Sequence, residues 1–164
     1  LHLEVAGSAS MQVLDGYLRK IWLDCCGHSS QWSMGRAWSG RPIPMSAKAG
    51  PVFRPGVELV HVYDFGTTSE TRVKVIDTRQ GAATSRRPIV LLARNDAPRI
   101  SCMECEGDAE WLCLQCVYDL EADGGLCAAH GQVHPHEDYG ELMPVVNSPR
   151  MGVCGYTGPG EPPW

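Results

Sequence analysis

An α+β fold follows from three features of these 164 residues. One stretch shows apolar periodicity of three and four residues, several short segments alternate between turn residues, and cysteines and histidines recur in pairs between residues 101 and 140. The architecture predicted is a small mixed or antiparallel sheet with one main helix, plus a compact module inserted near the C-terminus. In chain order, residues 1–5 alternate and predict a strand, followed by a turn at residues 7–10. Ser10 is placed to cap a helix in which Val13, Leu14, Tyr17, Leu18, Ile21 and Trp22 form the apolar stripe, with Asp15, Arg19 and Lys20 on the wet side. That helix is expected to run to about Cys25 and to stop near Gly27. Residues 28–56 are rich in Gly, Pro and Ser and read mostly as loop, with at most one short strand around 31–34.

Residues 57–65 then alternate, with Leu59, His61, Tyr63 and Phe65 on one face and Glu58, Val60, Val62 and Asp64 on the other. Residues 69–77 alternate in turn, so Gly66, Thr67 and Thr68 predict a hairpin loop. Residues 87–93 are nearly continuous in apolar character, as expected of a strand buried on both faces, and 141–146 form a shorter candidate strand. The body is therefore drawn as 1–98, completed by 141–156. The inserted module is 99–140, and 157–164 is an irregular tail too rich in Gly and Pro for a regular element.

The inserted module carries the most specific signal. Cys102 and Cys105, then Cys113 and Cys116, then Cys127 and His130 are each separated by two residues, and His134 and His136 by one. Each pair is spaced as a chelating turn spaces it, and eight ligands suffice for two tetrahedral zinc ions. The module has few apolar side chains to bury, whereas structural zinc supplies on the order of 10–16 kcal/mol, so folding and metal binding are expected to be one event. The interleaved arrangement groups Cys102, Cys105, Cys127 and His130 around one ion and Cys113, Cys116, His134 and His136 around the other; a sequential arrangement uses the same residues. Asp119 or Asp123 replaces a ligand if the brace is shifted. All eight positions are protein ligands, which predicts structural rather than catalytic zinc.

Composition narrows the function classes. A 43% hydrophobic and 20% charged chain is not a disordered one. No apolar stretch approaches a membrane span, and Glu4, Asp15, Arg19, Lys20 and Asp24 interrupt the first thirty residues, which argues against a secretory leader and predicts a cytoplasmic protein without membrane contact. In a reducing compartment eight cysteines are expected to serve metal rather than disulfides. Nine of the nineteen acidic residues lie between 101 and 140, and all fourteen Lys and Arg lie outside it. The module would repel a phosphate backbone, leaving only the body, through Arg86, Arg87, Arg94 or Arg99, as a surface for nucleic acid.

The ligand order from Cys102 to Asp138 resembles the B-box class of cross-braced zinc modules, with ten residues between Cys116 and Cys127 where that class has fewer. The resemblance implies self-association or partner binding without chemistry. Outside the module, residues 18–28, the Tyr63-Asp64-Phe65-Gly66 signature and residues 147–156 together resemble the plasmid pRi open-reading-frame-three-like family, whose members carry insertion-element passenger or TnpR-like labels. This implies an α+β fold and a mobile-element context, and leaves the activity open.

Cys25, Cys26 and His28 at the helix end, with Cys154 distant in sequence, are candidates for a third metal or redox site; the alternative is that Cys25 packs in the core while Cys26 and His28 serve local structure. His61 is a candidate acid–base group or a hydrogen-bonded structural histidine. Asp64, Phe65 and Gly66 lack the phosphate loop and paired lysine that a kinase metal motif requires, and read as a hairpin bend. The function expected is that of a zinc-binding adaptor with a protein partner or a second copy. Nucleic-acid association by the body is the first alternative, and an enzyme with a site near Cys25, His28, His61 and Cys154 the second. No catalytic residue is assigned.

Overall fold

The computed structural model describes residues 1–82, 85–135 and 138–158. The fold is α+β, with small antiparallel sheets and few helices. The described residues fall into two compact units that meet in the chain at Asn95 and Asp96.

In the first unit, β1 (His2–Val5) is followed by α1 (Met11–Leu18) and a π-helical turn, Arg19–Leu23. The chain continues through β2 (Ser30–Met34), β3 (Arg41–Ile43), the short α2 (Ala49–Val52), β4 (Glu58–Tyr63), β5 (Ser69–Lys74) and β6 (Ile89–Ala93). Four strands form an antiparallel sheet in the order β3-β2-β4-β5, and β1 pairs with β6 apart from it. The helix lays Met11, Leu14, Tyr17 and Leu18 into a core shared with Trp32, Ile43, Leu59, Tyr63 and Ile89. Below Leu18 the backbone widens, Asp24 N–H bonding Arg19 C=O at 2.8 Å, and this i→i+5 turn brings both Ile21 and Leu23 fully inside. The apolar stripe thus gains Leu23 at its end, while Trp22 is partly buried and packs against the same core.

Four further expectations are revised here. Asp15, placed on the wet side, is buried, because β2 and β4 offer it hydrogen bonds that compensate for lost water. Phe65, placed on one face with Leu59, His61 and Tyr63, lies beyond the end of β4 and is exposed, whereas both faces of β4 are buried from Leu59 to Tyr63. The 87–93 run is not a doubly covered strand: β6 pairs with β1 alone, only Ile89 is buried in it, and Leu92 is 63% exposed. The 28–56 stretch holds more order than its Gly and Pro content suggests, since β3 extends the sheet beside β2.

The hairpin between β4 and β5 runs in register from Tyr63 opposite Ser69 to Glu58 opposite Lys74. Asp64 turns the chain in the left-handed region at φ 62°, and its carboxylate accepts the Gly66 and Thr67 N–H groups. Glu70, Arg72 and Lys74 point outward along β5, charges that discourage pairing at this sheet edge.

In the second unit, β7 (Trp111–Leu112) lies between β8 (Gly125–Leu126) and β9 (Met143–Pro144), and two short helices, α3 (Leu114–Tyr118) and α4 (Ala128–Gly131), follow β7 and β8. Segment 141–156, expected to complete the body, belongs instead to this unit: β9 bonds β7, and the Tyr118 hydroxyl donates to Gly152 C=O at 3.0 Å. Gly152 sits at φ 72° against Leu112, where any Cβ would come within 2.7 Å of that side chain. The tail reading covers residues 157–164, of which 159–164 lie outside the described residues.

Candidate metal centres

Local turns in the second unit set the ligands. Cys102 N–H bonds Gly107 C=O at 2.8 Å, and Ser101 bridges Asp108, so the chain folds tightly around Cys102 and Cys105. Cys113 caps α3, and its sulfur accepts the Cys116 N–H at 3.4 Å. Cys127 stands at the N-cap of α4, whose single turn carries His130 over it, with Gly131 N–H bonding Cys127 C=O. A three-residue separation on a helical turn puts both side chains of a pair on one face.

The folded chain then brings distant pairs together. The ligand atoms of Cys102, Cys105, Cys127 and His130 all lie within 4.8 Å of one another, as do those of Cys113, Cys116 and His134. The grouping is interleaved. His136, the eighth ligand expected, lies outside the described residues. Asp119 takes no part in either group and accepts the Tyr139 hydroxyl at 2.8 Å.

The spacings can be compared with those an ion imposes. Metal–sulfur bonds of about 2.3 Å and metal–nitrogen bonds of about 2.0–2.1 Å at tetrahedral angles give S···S edges of about 3.8 Å and S···N edges of about 3.5 Å. Cys105 and Cys127 sulfurs are 3.9 Å apart. His130 Nδ1 lies 3.4 Å from Cys102 Sγ and 3.3 Å from Cys127 Sγ, and His134 Nε2 lies 3.4 Å from Cys116 Sγ. Every one of these is within about 0.2 Å of the tetrahedral edge, so both groups fit a small ion with thiolate and imidazole ligands. The eight cysteines form no disulfide.

Electrostatics favours a cation in the same places. Burial pushes the Cys116 thiol up, the neighbouring Cys113 sulfur adds to it, and it reaches about 11. Burial also raises Cys102, but the N–H groups of Cys127 and Glu104 and the His130 ring outweigh it and draw that thiol down to about 6. Hydrogen bonds to Cys102 and Cys127 raise His130. Thiols crowded this closely cannot all ionise without a counter-charge, and a bound divalent ion supplies one.

The first unit contains a different cluster. Asp15 accepts from His61 Nε2 at 2.7 Å and from the Ser30 hydroxyl at 2.5 Å. His61 is fully buried, with the Trp32 ring 4.6 Å from its own, so it sits in the core as a structural, hydrogen-bonded histidine. Tyr63 ties the end of the π-helical turn together: its hydroxyl donates to Asp24 at 3.1 Å, accepts His28 N–H at 3.3 Å and lies 3.7 Å from Cys25 Sγ. Burial and the Cys25 thiol push Tyr63 up to about 12, so it remains a donor at any physiological pH. Cys25 and the His28 N–H are gathered around this hydroxyl, and Cys26 Sγ lies 3.0 Å from His28 Nε2; Cys154 is exposed, at φ 51°. The sequence gives no sign of the Asp15, Ser30 and His61 network except that Asp15 lies four residues after Met11, at the border of the apolar stripe.

No family model, curated protein or solved structure matches the chain. Among the described residues no helix is long and apolar enough to cross a membrane.

Proposed function

We propose that the second unit is a two-zinc, cross-braced module of B-box-like kind whose ions are structural, and that it works as a protein-binding adaptor. The observation that carries this reading is the group of Cys102, Cys105, Cys127 and His130, four protein ligands that fill a tetrahedral shell and leave no position for a substrate. Thiolate and imidazole donors at this spacing favour zinc among the common divalent ions. Around the ligands, Glu104, Glu106, Asp108, Glu110, Asp119, Glu121, Asp123 and Asp138 are all exposed. Beside them Tyr118, Leu120, Val133 and Tyr139 leave apolar area open, with Val133 76% exposed. Exposed apolar side chains among surface carboxylates suit a protein partner.

All fourteen Lys and Arg of the chain lie outside residues 101–140, so the complementary surface nearest at hand is the body of a second copy. Sedimentation of the zinc-loaded chain is expected to show a dimer that weakens as salt rises from about 50 to about 500 mM, a range over which the screening length falls well below about 15 Å. A monomer throughout, or an assembly indifferent to salt, would overturn the docking. The distribution of basic residues also favours a second reading, nucleic-acid binding by the body. A titration of the zinc-loaded chain against duplex and single-stranded DNA separates the two: saturable binding that fades with salt supports the second.

A further inference from the structure

We propose that Cys25, Cys26 and His28 form a third metal site, built on the first unit, that takes a soft divalent ion such as Zn²⁺. The three ligand atoms lie within 4.8 Å of one another. The Cys25 and Cys26 sulfurs are 3.9 Å apart, the edge that two metal–sulfur bonds of about 2.3 Å define. Cys26 Sγ and His28 Nε2 are 3.0 Å apart, so the ring need retreat by only about 0.5 Å to meet a tetrahedral edge.

The site is assembled by backbone features that a purely local role does not demand. The π-helical turn ends at Leu23, and Gly27 at φ 81° reverses the chain so that His28 comes back over Cys26. Tyr63, from central β4, fixes the loop from beneath through Asp24, Cys25 and the His28 N–H, and its ring meets the His28 ring edge-on at 5.7 Å. Asp64 directs one carboxylate oxygen to within 3.4 Å of His28 Nε2, while Gly66 and Thr67 hold the other. A buried carboxylate beside two thiolates adds negative charge where a cation would sit. Two sulfurs and an imidazole are a soft set, suited to zinc rather than magnesium or calcium.

This ion differs from those of the module. Three of its ligands come from one short loop, and one of them, Cys26, is exposed.

The test is thiol alkylation of the whole chain, read cysteine by cysteine by peptide mapping, with and without Zn²⁺. Saturating Zn²⁺ is expected to slow modification of Cys25 and Cys26 by about tenfold or more, since a metal-bound thiolate is withdrawn from reaction. A C26S/H28Q variant should bind one ion fewer than the unaltered chain by elemental analysis and keep Cys113 and Cys116 protected. Since that variant could lose its fold, the alkylation pattern of the unaltered chain decides. If Cys25 and Cys26 react at one rate with and without Zn²⁺ while Cys113 and Cys116 become protected, the third site is overturned and the module stands. If the module cysteines alone fail to be protected, the proposed function falls and the third site stands.

Discussion

Stripping metal from the second unit should unfold it and leave the first unit folded. Besides the cysteines, the buried apolar side chains among the described residues of the second unit are Leu112, Leu126 and Tyr156. At about 1.5–3 kcal/mol each they contribute about 5–9 kcal/mol, less than the 10–16 kcal/mol that a single structural zinc supplies in comparable small modules at about pH 7. The ions are therefore the larger stabilising term, and an affinity of that size corresponds to a dissociation constant on the order of 10⁻⁸ to 10⁻¹² M, which calls for a strong chelator. The first unit has a separate core of eleven buried apolar residues and should not follow. Hydrogen exchange followed by NMR reads both units at once. With zinc, the N–H groups of Met103, Glu110, Cys113 and Val145, bonded to Gly125, Leu126, Gly124 and Glu110, should be protected. After chelation they should exchange freely while the β2, β4 and β5 amides stay protected. Persistent protection of those four amides in metal-free protein would refute the reasoning, because it would show a core that holds without the ions.

Two further outcomes bear on particular groups. Cys127→Ser should expose Cys102 and Cys105 to alkylation and leave Cys113 and Cys116 protected, since the first three share one group and the last two another; a sequential arrangement gives protected Cys102 instead, and mass mapping distinguishes them. Asp15→Asn should cost about 1.5–3 kcal/mol at neutral pH, from charge-assisted hydrogen bonds lost at a buried carboxylate. Burial pushes the Asp15 carboxyl up, but the hydrogen bonds from His61 and Ser30 and the charges of His61 and Arg19 outweigh it, so its folded value lies below 3.8. Its contribution is therefore complete above that unfolded value and disappears as pH falls through the folded one. Urea midpoints measured downward from pH 5 should fall less steeply in the variant than in the unaltered chain, and parallel slopes would count against the assignment.

What could be read from the sequence divides by the distance over which each constraint acts. Cys113 with Cys116, and Cys127 with His130, are joined by three peptide units, and the turn that makes them chelate is a local event. The same holds for the hairpin, where Gly66 and Thr67 close on Asp64, and for the helix stripe that begins at Met11. Asp15 is different. Its charge predicts a solvated side chain, as is usual on an amphipathic helix, yet the partner that makes burial tolerable, His61, lies 46 residues away on β4. An apolar run such as 87–93 likewise records a preference for strand and says nothing of how many neighbours the strand will have; β6 found one. Segment 141–146 shows the same limit, for its apolar character predicts a strand without naming a neighbour, and the choice of β7 is made by contacts with Glu110 and Leu112 that no spacing announces. The metal ligands escape this limit because chemistry supplies the missing long-range information. A four-coordinate ion requires two chelating pairs to meet, so once the pairs are seen their convergence follows, and only the choice between interleaved and sequential partners is left to the fold.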